Sequence, residues 1–357
     1  MATLPPTTRA WTRTHRGPPS STLKLTTIPT PPIPAPSSSE VLIRVSHVSL
    51  QFNTPNFLQI IPTIPFTKAP FIPEIEFSGT IIAAGNGKNV APEVSTPGTS
   101  VIAFSSVPSS VLLGQGVLAE YVRVPGENVA RVHPSRIENG MAAASGINGC
   151  GSTALKMLRV AGVRSGQTVL VNGASGSVGS VLVQLARLRG ARVAGVASGG
   201  NEEVVRELGV DEFIDYRKHD LPAFLASQYN APETQFDHIL DCVGTQALFA
   251  NSPSYLKPSG TYINIGMLEG MFTTTFNWVR NVYLPTWLGG VPRKYIMFST
   301  PPTRDDALYI AHLVEEGDIR ILVDGVWEME DAMRAYERIG SQRARGKVVV
   351  RVWDGKS

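Results

Sequence analysis

Cysteine is nearly absent from the 357 residues. Cys150 and Cys242 are the only two, which excludes a disulfide framework and a cysteine-rich structural zinc cluster. Such usage fits a reducing compartment, and the cytoplasm is the expected location. An excess of one charge is lacking as well, since 32 Lys+Arg against 29 Asp+Glu leave a net charge of only +3. This balance offers no concentrated basic field, so nucleic acid is not an expected partner. No apolar run approaches the ~20 residues that span a bilayer, so no membrane partner is expected either. Acidic residues are missing before Glu40, while Arg9, Arg13, Arg16 and Lys24 are present, the charge pattern of a mitochondrial presequence. Pro5, Pro6, Pro18 and Pro19 interrupt the amphipathic helix that such a signal needs. Folded chain is the better reading, because Arg9–Thr14 and Leu23–Ile28 alternate as two short strands around a turn at Gly17.

What is present is enough for two domains and a sizeable core, with 43% hydrophobic residues. Up to about residue 140 the chain consists of short strands between Pro, Gly and Ser breaks, as in a barrel-like all-β unit. Beyond it, apolar strands alternate with helices: strands at Thr168–Asn172, Arg192–Ala197, Glu212–Asp215, His238–Val243 and Gly260–Gly266 predict a parallel sheet covered on both faces. Two helices and a closing strand, Lys347–Val352, end the chain.

The strongest local signal is Asn172-Gly-Ala-Ser-Gly-Ser-Val-Gly179, between an apolar strand and an amphipathic helix. Gly173 and Gly176 let the backbone turn and approach a pyrophosphate, and Gly179 lets helix and strand pack closely. The helix N-terminus offers its N–H groups to the anion. Ser175 belongs to the same candidate loop. A tight turn between packed elements is the bland alternative, but its setting in a run of βα units favours a dinucleotide. The second strand ends in Ser198-Gly-Gly-Asn201 with no carboxylate until Glu202, whereas an NAD site carries Asp or Glu there. A small hydroxyl accommodates a 2′-phosphate, and Tyr216, Arg217 and Lys218 offer a phenol and positive charge. NADPH is therefore the expected cofactor; a merely solvated Arg217-Lys218 loop is the alternative.

In this order the chain resembles the medium-chain dehydrogenase/reductase superfamily, and in particular its zinc-independent, quinone oxidoreductase-like branch. The matches run along nearly the whole length. They include Glu40-Val-Leu-Ile-Arg-Val, Pro73-Glu-Ile-Glu-Phe-Ser-Gly79, Leu118-Ala-Glu-Tyr-Val, Gly151-Ser-Thr-Ala154, the glycine loop, Asp241-Cys-Val-Gly244, Gly260-Thr-Tyr-Ile-Asn-Ile-Gly266 and Gly346-Lys-Val-Val-Val. The resemblance implies an α/β protein with a GroES-like β-barrel catalytic domain and a Rossmann doubly wound domain. The barrel domain would begin in residues 1–140 and be completed by 296–357, with the Rossmann domain at 141–295. The cofactor would lie in a cleft between them, in a homodimer. By this likeness Thr153 sits near the nicotinamide, Ser177 and Val178 against the pyrophosphate, and Tyr216 near the 2′-phosphate. Ile265 and Gly266 would flank the ring, Lys347 would stand beside the cofactor, and Val243 joins the candidate set.

The zinc-dependent relatives place a Cys after the first long strand, a His in Gly-His-Glu, and a second Cys before the Rossmann domain. Here those places read Gln51, Ile75 and approximately Ser145, with Cys150 out of register, so no metal is expected. Without a Lewis acid, alcohol oxidation is disfavoured. What remains is hydride delivery from NADPH to a conjugated C=C of an enone, enal or enoyl compound, or to a quinone. The branch's usual Asn-Pro-x-Asp element is replaced by Gln51-Phe-Asn-Thr-Pro-Asn56, so Gln51 and Asn53 are the candidate donors and Tyr121 a further catalytic candidate. The aromatic stretch Met271–Phe298 reads as a wall for a bulky apolar substrate, a dimer surface or plain core. A secondary-metabolite enone suits the first. The rival functional reading is an NADPH-binding protein with little redox turnover, in a structural or regulatory role or with redox-neutral chemistry.

Overall fold

Alternation of β-branched residues with turn formers yields the strands that the sequence predicts. The computed structural model describes residues 4–60, 71–106, 109–110, 113–297 and 301–353. In chain order the first strands are β1 (Thr7–Arg13), β2 (Leu23–Pro29), β3 (Glu40–Ser49), β4 (Glu76–Ala84), β5 (Ser100–Phe104), β6 (Tyr121–Pro125) and β7 (Val129–Arg131). Then come β8 (Thr168–Asn172), β9 (Arg192–Ala197), β10 (Glu212–Asp215), β11 (Phe236–Asp241), β12 (Leu256–Asn264) and β13 (Lys294–Met297), and finally β14 (Val323–Glu328) and β15 (Lys347–Arg351). The chain forms two compact units, Met1–Ser152 with Pro301–Ser357, and Thr153–Thr300.

In the first unit β1 and β2 pair as the antiparallel hairpin expected from the N-terminal alternation. The remaining strands make a seven-stranded sheet in the order β14-β15-β3-β4-β5-β7, with β6 also paired to β3. The last strand in sequence therefore lies beside β3. Val41, Ile43, Val45, Phe77, Val101, Val122, Val348 and Val350 are buried in one cluster. Full burial of each such larger side chain stabilises by about 1.5–3 kcal/mol. Trp11 donates its indole N–H to the Met329 carbonyl at 2.8 Å, tying the N-terminal hairpin to the C-terminal segment.

The second unit is a six-stranded parallel sheet in the order β10-β9-β8-β11-β12-β13. Its strands carry apolar side chains to both faces, as a doubly covered sheet requires. β8 is the first strand of the series and β11 the fourth, so the winding direction reverses between them. In open α/β sheets, ligands bind beyond the strand carboxyl ends at such a point. The helix Ser177–Leu188 buries Val181, Leu182, Leu185 and Ala186.

Two stretches depart from simple expectation. The helical stretch ahead of β8 is interrupted by a π-helical turn at Ile147–Gly151 between the helices Gly140–Ala144 and Ser152–Ala161. The aromatic segment forms a helix, Met271–Tyr283, whose only buried residue is Thr274. Phe272 is 81% exposed and Trp287, just beyond it, 80%. Its inward side is polar: Asn277 donates to Glu269 at 3.0 Å, and Asn281 and Gln246 exchange amide hydrogen bonds at 2.9 Å. The plain-core alternative therefore does not hold for this helix, whereas Val291 and Tyr295, later in the same stretch, pack against the buried cluster of the parallel sheet; Phe298 lies outside the described residues. Among the described residues no helix is long and apolar enough to cross a membrane.

Candidate active site

The loop that follows β3 is held by two buried glutamates. The Gln51 backbone N–H donates to Glu74 Oε2 at 2.8 Å, and the Gln51 amide Nε2 donates to Glu76 Oε1 at 2.6 Å. Both glutamates are 1% exposed. Glu76 also accepts from the Lys347 ammonium and, through Oε2, from the Gly149 N–H. Burial alone would lower the Lys347 ammonium, but the adjoining Glu76 carboxylate outweighs it and holds Lys347 above its ordinary value. Gly149 is glycine because the carboxylate lies directly on it: a Cβ there would stand 2.6 Å from Glu76 Oε1. The π-helical turn that carries Gly149 is a rare form that recurs at functional sites.

Buried polar atoms without a protein partner adjoin this cluster in sequence. Among the described residues Asn148 Nδ2, Ser152 Oγ and Asn53 Oδ1 are such atoms. Buried polar groups are nearly always satisfied, so these three are available to a bound molecule or water. Gln51 and Asn53 thus lie on one short turn, before the helix Thr54–Ile60. Tyr121 is placed elsewhere. It pairs with Arg44 of β3, whose guanidinium carbon lies 5.9 Å from its ring centroid. Arg44 is seven residues before Gln51, about 20 Å along an extended strand, so the structure does not bring Tyr121 together with Gln51. The stretch 61–70 lies outside the described residues.

These residues do not fit a zinc ion. Of the positions used by zinc relatives, Gln51 is committed to Glu76, Ile75 has no donor, and the Ser145 hydroxyl exchanges a hydrogen bond with Ser49 at 2.8 Å. Cys150 is close enough to feel Lys347 and Glu76, yet burial pushes its thiol up to about 12, away from the thiolate that a metal needs. Among the described residues no group of three His, Cys, Asp or Glu is placed to hold a metal.

In the second unit the cofactor-binding candidates gather at the carboxyl ends of the parallel strands. Gly173 follows β8 with φ +83°, and Gly176 precedes the helix Ser177–Leu188. The first turn of that helix has neither a side-chain cap nor an acidic residue, which leaves its positive end to an anion. Ser177, Val178 and Gly179 form this turn. A Cβ on Gly179 would stand 2.1 Å from the Gly173 carbonyl oxygen, so helix and loop meet backbone to backbone. Ser175 Oγ accepts from Asn201 Nδ2 at 2.9 Å, joining the glycine loop to the Ser198 turn. Tyr216 is half exposed, with Arg217 and Lys218 exposed beside it after β10. Thr153 lies in the first turn of the helix Ser152–Ala161.

Asp241, at the end of β11, organises the next two loops. Its Oδ1 accepts from Val243 N–H at 2.8 Å, Gly244 N–H at 3.0 Å and Asn172 Nδ2 at 2.8 Å, and its Oδ2 from the Tyr262 hydroxyl at 2.6 Å. Burial raises its carboxyl, and those four donors oppose the shift. The Ile265 N–H bonds the Asp241 carbonyl at 3.0 Å, and the Gly266 N–H bonds Asn264 Oδ1 at 2.9 Å. Sequence reasoning marked the Asp241-Cys-Val-Gly stretch but not this role. It also missed Asp215: a Cβ on Gly199 would be 2.4 Å from Asp215 Oδ2, so a carboxylate from β10 lies against the Ser198 turn.

The chain matches the alcohol dehydrogenase GroES-like domain over residues 37–134 and the zinc-binding dehydrogenase family over residues 208–350. It is 46% identical to the medium chain reductase pydE of an Acremonium species, over 97% of this chain and 99% of that one. It is 33% identical to the trans-enoyl reductase poxH of Penicillium oxalicum, over 97% and 98% respectively. Among solved structures, the quinone oxidoreductase of Coxiella burnetii superimposes with a TM-score of 0.79 at 24% identity, over 97% of this chain and all of that one, and shows the same fold.

Proposed function

The chain belongs to the medium-chain dehydrogenase/reductase superfamily, in its quinone oxidoreductase-like branch, and from that premise we propose that it is a zinc-free, NADPH-dependent reductase of conjugated C=C bonds in mostly apolar molecules. An oxidoreductase with a nicotinamide cofactor is what the family and its Rossmann topology give; the choice of NADPH, the absence of zinc and the substrate class are the proposal. The observation that carries it is the Gln51–Glu76–Lys347 cluster, where an amide and an ammonium take up the carboxylate that would otherwise favour a metal. The relatives named trans-enoyl reductases support an enoyl or enone substrate over a quinone.

Bound NADPH supplies the hydride. The chain's part is to hold the acceptor and to favour charge developing on its carbonyl oxygen. The Gln51 amide keeps one N–H beyond the one given to Glu76, and the Asn53 amide offers its own. Neither amide is a proton donor, so the proton for the second carbon comes from water. The family's homodimer is the assembly we assign, and the exposed apolar face of the helix Met271–Tyr283 supports it.

The test is loss of reduced-nicotinamide absorbance with enones, enals, enoyl thioesters and quinones, with NADPH and NADH in parallel. Saturable oxidation with the conjugated C=C set and none with simple alcohols in reverse is expected. Tight NADPH binding with no turnover across the set would favour the non-redox reading instead.

Cofactor choice has a separate test. Ser198, Tyr216, Arg217 and Lys218 favour the 2′-phosphate, against the nearby Asp215 carboxylate. Ser198→Asp adds a second negative charge within a few ångströms, and at an effective dielectric near 20 this is worth at least ~1.4 kcal/mol, or about tenfold in Kd for NADPH. NADH affinity should hold or improve, as read by nicotinamide fluorescence titration. An unchanged NADPH/NADH ratio removes Ser198 from the site.

A further inference from the structure

We propose that Glu74 is a positioning residue: its carboxyl group holds the backbone of the Gln51 turn and so places the Gln51 amide. The inference rests on the reductase reading above only in so far as Gln51 is taken to face the substrate.

Three observations carry it. Glu74 has φ +69°, in the left-handed region that glycine adopts freely and glutamate does not. The other described non-glycine residues with positive φ, Asn139 and Gln342, are both exposed, so Glu74 is the one that is also buried. A strained conformation of this kind persists where the surroundings hold it, and such positions cluster at functional sites. Second, the surroundings do hold it. The Tyr336 hydroxyl donates to Oε1 at 2.7 Å, and the Glu74 carbonyl accepts from Ser110 Oγ at 3.0 Å and from the Val117 N–H at 3.2 Å. Third, Oε2 is spent on the backbone N–H of Gln51, the residue whose side chain Glu76 orients. One glutamate thus fixes the main chain of the turn and the other its amide.

The titratable and charged groups around the Glu74 carboxyl are Tyr336 from the C-terminal helix Ala332–Gly340, Lys347 from β15 and Glu76 from β4. Thr54 and the Gln51 N–H add uncharged donors. Burial raises the carboxyl to about 7, against the lowering pull of Tyr336, Gln51, Thr54 and Lys347. The group therefore passes from acid to carboxylate across the neutral range. A hydrogen bond to a carboxylate is about twice as strong as one to a neutral acid, so the turn is held firmly above that point and loosely below it.

The experiment is a pH profile of kcat and kcat/KM for the wild type, Glu74→Gln and Tyr336→Phe, on whichever enone is reduced. The backbone amide signal of Gln51 is followed by NMR over the same range. For the wild type we expect kcat to fall about fivefold as pH drops through about 7, with the Gln51 amide shifting at the same midpoint. Glu74→Gln keeps an acceptor but no charge, and should be flat at the low level in both readouts. Tyr336→Phe removes a donor that favours the carboxylate, so both midpoints should move upward. Glu74→Gly, which relieves the backbone strain while deleting the carboxylate, should lose about tenfold in kcat with KM for NADPH unchanged. A Glu74→Gln profile identical to the wild type, a Gln51 amide that does not titrate, or full kcat in Glu74→Gly would each overturn the proposal. A Gln51 amide that titrates in the wild type and is fixed in Glu74→Gln, with no substrate reduced, would instead leave the hold on Gln51 standing and sink the reductase reading.

Discussion

Lys347→Met is expected to destabilise the barrel unit by about 3–5 kcal/mol at pH 8, the usual cost of removing one partner from a buried ion pair. The ammonium is 4% exposed and its partner Glu76 1%, so no water can take its place without opening the core. What is left behind is a carboxylate satisfied by the Gln51 amide and the Gly149 N–H but with no compensating charge. Urea denaturation at pH 8 should therefore show a large loss of midpoint. The double variant Glu76→Gln with Lys347→Met should recover most of the loss, because it removes both charges. Equal stability of Lys347→Met and wild type at pH 8 would mean that the pair is not buried in solution.

Gly179→Ala is expected to weaken binding of the nicotinamide cofactor at least about tenfold and to cost the Rossmann unit about 1–3 kcal/mol, the range for forced overpacking. The new Cβ would meet the Gly173 carbonyl oxygen at 2.1 Å and its carbon at 2.7 Å. Both are backbone atoms, so no side chain can swing aside, and the helix must move off the loop proposed to receive the pyrophosphate. Gly176→Ala is the control in the same loop. There the nearest atom is the same oxygen at 3.3 Å, and a shift of a few tenths of an ångström relieves it. Thermal denaturation without cofactor should rank Gly176→Ala near wild type and Gly179→Ala well below. The reverse ranking would show that the close approach is not what the third glycine provides.

The Rossmann half was readable because its signals are local. An apolar run, three glycines at fixed spacing and an amphipathic helix sit within 20 residues, and β8, β9 and β10 appear with the bounds read from sequence. The barrel half was readable as strands, but its polar interior was not. Glu74 meets Tyr336 across 262 residues and Glu76 meets Lys347 across 271, and nothing in a single sequence ties such distant positions together. The positive φ of Glu74 was hidden for another reason: no residue type announces it, as glycine would have done. Asp215 escaped notice because it comes from the neighbouring strand, whereas the search for a carboxylate followed the end of β9 alone. The helix Met271–Tyr283 was legible as aromatic but not as inverted, since which side faces the sheet depends on Gln246 and Glu269, from other segments.

The place of β15 beside β3 has a consequence for synthesis. The Rossmann unit is continuous, and all six of its strands leave the ribosome before the first unit has its final pair. The barrel sheet that starts at residue 40 waits for a strand more than 300 residues later, and Glu76 waits with it for its cation. Domains generally fold as they emerge, N-terminal first. Here the order runs from the middle outward, and a nascent chain spends most of its translation time with an unfinished sheet and an unneutralised acid. Chaperone dependence, and loss of yield when synthesis stalls late, should then be concentrated in the unit that carries Gln51 rather than in the one that carries the glycine loop.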